Sequence, residues 1–247
     1  MFDAYRWGHP KRIALRGKGS ESTMSCDYCD ERQGIKTVYN KIYGSRDRIV
    51  YQTKSFLLFP CMGQLREGHL LAASKTHVNA IGMLDMNAVS ELEALVVDVA
   101  AFFQNTYRQD LLCFEHGVLD DGGANGGCGI YHMHLHLLPA SLKEFCEVMK
   151  FVCSDKSNVV RSSANFMDPH DCISNKKTYI YLSFFRQKQR AHSFIVTNRW
   201  NFFESQYMRK IICKVIGKAG WDWRHVQQPE EDLISTLGKS YSFFKDK

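Results

Sequence analysis

The sequence predicts an α+β fold: an antiparallel sheet of roughly five strands with helices packed on one face. Three observations point there. Short β-type runs separated by turn signals fill the segment after residue 47. One long stretch has the apolar spacing of an amphipathic helix. A run of alternating histidines and apolar residues then reads as a strand. In order, Arg48-Ile49-Val50-Tyr51 and Ser55-Phe56-Leu57-Leu58-Phe59 are the first two strands, the second stopped by Pro60. Gly68-His69-Leu70-Leu71-Ala72-Ala73 is the third. Asp85 then caps a helix that buries Val89, Leu92, Leu95, Val96, Val99, Phe102 and Phe103 at spacings of three and four, ending near Tyr107. Leu111 to His116 is a strand, 120–129 a glycine-rich loop, and the histidine strand follows, ended by Pro139.

The second half repeats this order in weaker form. A helix is expected over 142–152, a strand pair over 178–185 and 192–197, and a helix over 205–216 with Gly217 near its C-terminus. We therefore divide the chain into a flexible arm (1–24), a core (25–140) and a C-terminal α/β extension (141–247) packed on the core. The extension either lengthens the sheet or forms a small satellite layer.

With 247 residues, the chain can bury a substantial core without staples. Its nine cysteines are scattered, and only Cys26 and Cys29 lie close together. That pattern fits a reducing compartment better than a disulfide framework, so a cytoplasmic protein is expected. No apolar run is long enough to span a membrane, and the basic, polar N-terminus lacks the apolar stretch of a secretory signal. The net charge of +6 is modest and spread along the chain, with clusters at 11–18 and 186–190. Such clusters are ordinarily solvated faces, and nucleic acid is not the expected partner.

His132-Met133-His134-Leu135-His136-Leu137-Leu138 is the most informative segment. On a strand, spacing two puts the three imidazoles on one accessible face, while Met133, Leu135 and Leu137 point into the core. The glycine-rich loop just upstream can bring backbone N–H groups to an anion. The residues alone leave three readings open: a cluster without chemistry, a metal site, or nucleophilic attack by neutral imidazole at phosphorus.

This pattern, His-φ-His-φ-His-φ-φ with φ apolar, resembles the signature of the histidine-triad (HIT) superfamily at all seven positions. Gly68-His69-Leu70-Leu71-Ala72-Ala73-Ser74-Lys75-Thr76-His77 also resembles that family's strand and Pro-Lys-x-His turn, with Ser74 in place of the proline. The resemblance covers roughly 25–140 and implies a HIT-like sheet and cleavage or exchange at a nucleotide α-phosphate. His134 would attack phosphorus and carry the nucleotidyl group, and His136 would lie by the phosphate and leaving group. The family often has a serine three residues before the first histidine; here that position is Gly129, preceded by Cys128. Backbone contact to phosphate from Gly129 is retained as an expectation, with Asn125 as a further candidate. Phe56, Leu57 and Phe59 are candidates for an apolar base pocket. The resemblance also implies a nucleotide or nucleotide-conjugate substrate, and a homodimer.

Cys26-Asp27-Tyr28-Cys29 is a CxxC pair that by itself fits zinc, redox chemistry or chance. Zinc-bearing members of the family use such a pair with the turn histidine and the first triad histidine. That resemblance implies structural Zn2+ on Cys26, Cys29, His77 and His132, a closed tetrahedral set. A rival reading has His132, His134 and His136 share a catalytic metal. Further on, Ser205-Gln206-Tyr207-Met208-Arg209 opens the last expected helix, with Ser205 as N-cap. Gln206 and Arg209 are candidates to grip a phosphate or acidic group. This helix and Trp221-Asp222-Trp223-Arg224 resemble segments of larger bacterial-type proteins with a histidine-triad core.

The leading expectation is a nucleotide hydrolase, because many transferases of the superfamily carry glutamine where this chain keeps His136. The alternatives are a nucleotidyltransferase or phosphorylase, whose acceptor pocket the extension would build, and a non-catalytic nucleotide or nucleic-acid binding protein.

Overall fold

The computed structural model describes residues 26–118, 130–163, 178–186 and 192–247. Asn125, Cys128 and Gly129 lie outside the described residues. The strands are β1 (Tyr51–Gln52), β2 (Phe56–Pro60), β3 (Leu70–Ser74), β4 (Asp110–Gly117), β5 (His134–Ala140), β6 (Asn158–Ser163), β7 (Tyr179–Phe185) and β8 (His192–Asn198). They form one sheet, ordered β1-β2-β3-β5-β4-β7-β8-β6, with every pair antiparallel. The extension therefore lengthens the sheet: β7 pairs along β4 from Leu111↔Phe185 to Gly117↔Tyr179.

The helices are α1 (Asp27–Arg32), α2 (Val38–Tyr43), α3 (Met86–Tyr107), α4 (Leu142–Ser154), α5 (Tyr207–Ile216) and α6 (Glu231–Phe244). In α3 the Asp85 carboxylate accepts from the Ala88 N–H at 2.8 Å, and all seven apolar residues expected on its inner face are buried. In α4, Ser141 and Glu144 form a reciprocal capping box.

Helices cover both faces of the sheet, which corrects the expectation of one. Leu58, Leu70, Leu135 and Leu137 of the sheet share a core with Val96 of α3 and Phe244 of α6. On the opposite face Leu112, Phe114, Leu138 and Phe184 pack against Phe145 and Val148 of α4 and Met208 and Ile212 of α5. A smaller patch on that face sets Tyr28 of α1 over Leu57, Phe59, Leu71 and Ala73. The physical reason is visible in β2, β3 and β5, where every residue is buried. Central strands apolar on both sides need two covering layers.

Two proline expectations change. Pro60 and Pro139 lie inside β2 and β5 rather than beyond them. The β3 ladder with β5 stops at Leu70↔Leu137. Past that point the Pro139 carbonyl accepts from Arg66 Nη1 at 3.0 Å, so the missing N–H forfeits no ladder bond.

Candidate active site

Met133, Leu135 and Leu137 are fully buried in the core under α3, as their alternation requires. His132 lies just before β5, and His134 and His136 lie within it, all three on the opposite face. That face is not open: the three are only 2%, 6% and 4% exposed. The cover is α1, whose Tyr28 ring meets His132 and His134 edge-on at 5.6 Å each. His136 is stacked flat on Phe114 of the neighbouring strand, with centroids 4.2 Å apart.

Fixed backbone partners set the protonation pattern of these rings. A carbonyl only accepts, so His134 Nδ1, 2.6 Å from the His132 carbonyl, carries the proton. The neutral ring then has its lone pair on Nε2. His132 Nε2 donates in the same way to the Ser74 carbonyl at 2.6 Å, leaving its lone pair on Nδ1. The Leu65 N–H donates to His69 Nδ1 at 3.3 Å, so His69 Nε2 carries a proton and donates to His136 Nδ1 at 2.9 Å. His136 therefore presents an N–H on Nε2. Burial, reinforced by the charge of Arg209, holds His69 well below the ordinary imidazole range; burial and the neighbouring histidines do the same for His136. Both rings are neutral, as this relay requires.

The His132 lone pair points at the CxxC pair. His132 Nδ1 lies 3.3 Å from Cys26 Sγ and 3.6 Å from Cys29 Sγ, and Cys29 Sγ lies 3.4 Å from His77 Nδ1. All four ligand atoms fall within 4.8 Å of one another. Tetrahedral zinc with ordinary Zn–S and Zn–N bonds sets S···N at about 3.5 Å. The donor set fits, and the Ser74 carbonyl supplies the outer partner that orients a ligating histidine. Without a cation, burial and the neighbouring Cys26 push the Cys29 thiol up to about 11.

Two other metal readings fit less well. His132 turns Nδ1 to the CxxC pair and Nε2 to the Ser74 carbonyl, so it has no nitrogen left for an ion shared with His134 and His136. Cys61, His69 and His136 also cluster within 4.8 Å. There the two imidazoles hydrogen-bond each other, and the Arg209 guanidinium sits 3.6 Å from Cys61 Sγ, already supplying a cation.

His134 and His136 line a cleft of about 460 Å3, together with Tyr28, Met62, Arg209 and Trp223. Arg209 comes from α5, and Trp223 from a single 3-10 turn, Trp223–His225. Arg209 is 1% exposed. It donates to the Trp221 carbonyl (2.7 Å), the Gly63 carbonyl (2.5 Å) and Cys61 Sγ, all uncharged acceptors. A second arginine of the cleft, Arg48, is instead neutralised by a two-pronged pair with Glu31 at 2.9 and 2.7 Å. The N-cap of α5 is Gln206, in a left-handed conformation, and not Ser205. Gln206 is buried and its amide donates to Asp222 Oδ1 at 2.7 Å, which removes that N–H from any phosphate.

Phe59 and Leu57 share the face of the triad, but Phe59 packs under Arg48, whose guanidinium lies 4.4 Å from its ring centre. Phe56 is on the opposite face, in the core under α3. Period two makes this unavoidable, because adjacent members of one strand cannot both line a pocket. Sequence reasoning missed His69, Tyr28, Cys61 and Trp223. A signal existed for His69, which directly precedes the strand that leads to the turn histidine. Tyr28 lay inside the CxxC motif.

Residues 44–142 match the family model of the HIT domain. The fold and the placement of the three histidines agree with it, and this segment of the chain is a HIT domain. No curated protein matches the chain. Among solved structures it is similar to a hypothetical histidine triad nucleotide-binding protein from Sulfolobus tokodaii, with 19% identity over 47% of this chain and 70% of that one and a TM-score of 0.36. It is also similar to a Zn-bound histidine triad family protein from Mycobacterium smegmatis, with 18% identity, 48% and 77% coverage and a TM-score of 0.35. A HIT family hydrolase from Clostridium thermocellum shows 14% identity, 49% and 95% coverage and a TM-score of 0.33. No helix among the described residues is long and apolar enough to cross a membrane.

Proposed function

We propose that the chain is a nucleotide hydrolase that works through a nucleotidyl-histidine on His134. The observation that carries this reading is the His134–His132 hydrogen bond. It fixes the proton on Nδ1 and leaves the nucleophilic lone pair on Nε2, in a ring that lines the cleft. Nε2 attacks the α-phosphorus, the bond to the leaving group breaks, and the leaving oxygen departs with the electron pair. The imidazole becomes cationic, and its Nδ1–H bond to the His132 carbonyl stabilises that charge. The His136 Nε2–H donates to the phosphate or leaving oxygen, and Arg209 offsets the negative charge of the phosphate. Water then attacks phosphorus, the P–N bond breaks, His134 returns to the neutral ring, and the proton of the water leaves to solvent.

Zinc on Cys26, Cys29, His77 and His132 would be structural, since four protein ligands leave no open position. These residues tie α1, and with it Tyr28, to the catalytic strand. A second reading, transfer to phosphate or another small acceptor, is favoured by one observation: the extension contributes Arg209 and Trp223 to the cleft.

The test is intact-protein mass spectrometry after brief mixing with ATP, GTP, a dinucleoside polyphosphate and a nucleotide sugar. The expected result is a gain of one nucleoside monophosphate, absent in His134→Ala. An adduct that survives in His134→Ala overturns the assignment. Adding candidate acceptors then separates hydrolysis from transfer.

A further inference from the structure

Arg209 is a buried cation whose charge the chain does not answer. Its acceptors are the Trp221 and Gly63 carbonyls and Cys61 Sγ. Burial pushes the Cys61 thiol up to about 11, so the sulfur is uncharged too. No carboxylate among the described residues forms an ion pair with Arg209. The acidic groups of this joint are committed: Glu230 accepts from the N–H groups of Gly63 and Gln64 at 2.8 and 2.9 Å, and Asp222 is paired with Arg224 at 2.6 Å. An ion taken out of water is costly until an opposite charge meets it. A guanidinium also has more N–H groups than these three acceptors use. Arg48, in the same cleft, shows the ordinary solution, with Glu31 on both prongs.

The position of this charge says which part of a substrate meets it. Cys61 packs with Phe59 and Leu71 on the sheet face that carries the triad, and its sulfur clusters with nitrogens of His69 and His136. Arg209 therefore lies at the floor of the cleft beside His136, on the nucleophile's side. Attack and departure share one axis through phosphorus, so the leaving group is on the side away from the sheet. What reaches Arg209 is the part that stays attached to phosphorus. The rest of the lining suits a nucleoside: Tyr28, Met62 and Trp223 supply apolar walls. Tyr39 of α2, packed with Met62 and Trp223, adds a hydroxyl that is buried with no hydrogen-bond partner among the described residues. Buried polar atoms are nearly always paired in native proteins, so this group too points to a ligand.

We propose that Arg209 binds a second phosphate of the substrate, carried on the ribose of the nucleotidyl group that His134 retains. This rests on the reading of His134 as nucleophile. The substrate class is then a conjugate of a nucleoside 2′,5′- or 3′,5′-bisphosphate, attacked at the 5′-phosphorus. Beyond the charge it lends the attacked phosphate, Arg209 donates its remaining N–H groups to the second one, in charge-assisted bonds that a ribose hydroxyl does not match. The second phosphate supplies the negative charge that the joint between α5 and the Gly63 turn lacks.

The experiment is calorimetric binding to the full chain of AMP, ADP, adenosine 2′,5′-bisphosphate and adenosine 3′,5′-bisphosphate, repeated with the guanosine set. One bisphosphate should bind about tenfold or more tightly than the monophosphate, the scale of bonds to a charged group. Which of the two gains places the second phosphate on the 2′ or the 3′ oxygen. ADP carries as many phosphates, but its second one lies on the leaving side, and it should not show the gain. Arg209→Met should bring the ratio of bisphosphate to monophosphate affinity near one, and Arg209→Lys, which keeps the charge, should retain part of it. Arg209 also ties α5 to Gly63, so if the methionine variant does not fold, the wild-type ratios decide alone. Bisphosphates that bind no better than the monophosphate in both sets overturn the proposal, as does a gain confined to the diphosphate. A full preference in Arg209→Met overturns the assignment to Arg209. An adduct that persists in His134→Ala overturns the nucleophile reading instead, whatever the bisphosphate ratio.

Discussion

At the scale of single residues, the chemistry is set by which backbone group each ring nitrogen meets. The alternation of the histidines was legible in the sequence; their protonation pattern was not, because it depends on the carbonyls of His132 and Ser74 and the N–H of Leu65. The same separation holds one position before His116. Glu115 is buried on the other face, accepting from the Ile81 N–H at 2.8 Å and the Tyr179 hydroxyl at 2.6 Å. Burial pushes its carboxyl from 4.5 up to about 7 against the pull of those two donors. The native chain thus holds a proton that the unfolded chain has released across that interval. Stability contributed by this group is full below the lower value and is lost as pH rises through the upper one. Glu115→Gln should flatten this fall, read from urea midpoints measured at intervals between pH 4.5 and 8. An unchanged slope would remove Glu115 as its source.

At the scale of elements, long periodic segments were legible and short or polar ones were not. All of the inner face of α3 except Ala88 could be read from spacing. The helix α6 could not, because two of its four buried positions are Thr236 and Ser240, whose hydroxyls bond the carbonyls of Asp232 and Thr236 one turn back. Nor could β6, an edge strand of half-buried and exposed residues. The six-residue α1 is too short to show a period, yet it carries Cys29 and Tyr28. Its attachment gives a prediction: wild type retains roughly one zinc per chain after dialysis, Cys26→Ser and Cys29→Ser lose it, and His134→Ala keeps it. Elemental analysis decides, and loss of zinc in His134→Ala would favour the metal-bridged triad instead.

Another joint between elements is Gly63, in the turn between β2 and β3. It has φ +67°, and a Cβ there would stand 2.6 Å from Trp223 Cβ and 2.7 Å from Trp223 Cα. Its carbonyl is held by Arg209, and its N–H by the Glu230 carboxylate at 2.8 Å. Gly63→Ala should cost roughly 2–4 kcal/mol through the left-handed backbone and the overpacking together. The check is the shift in denaturant midpoint; a shift near zero would mean that the Trp223 turn yields freely.

For the whole molecule, the histidine signature and the helix before it announced a core over 25–140, but nothing in the sequence announced how the remaining residues join it. The pairing of β7 along β4 shows the answer, and the cleft depends on it, since Arg209 and Trp223 arrive from beyond that strand. The expected homodimer belongs at this scale too. With β4 paired inside the chain, two copies extending one sheet would have to meet at β1 or β6.

The occupied flank of β4 also bears on how the protein can be cut. A fragment ending at Ala140 would keep every residue of the signature, yet it would remove the neighbouring strand from seven consecutive positions, Leu111 to Gly117, and leave the backbone groups on that side of β4 unpaired. It would also bare Leu112 and Phe114, which the second half of the chain now covers. Such a strand is a template for whatever peptide it next encounters. The stretch that identifies this chain and the stretch that can stand alone in water are therefore different lengths.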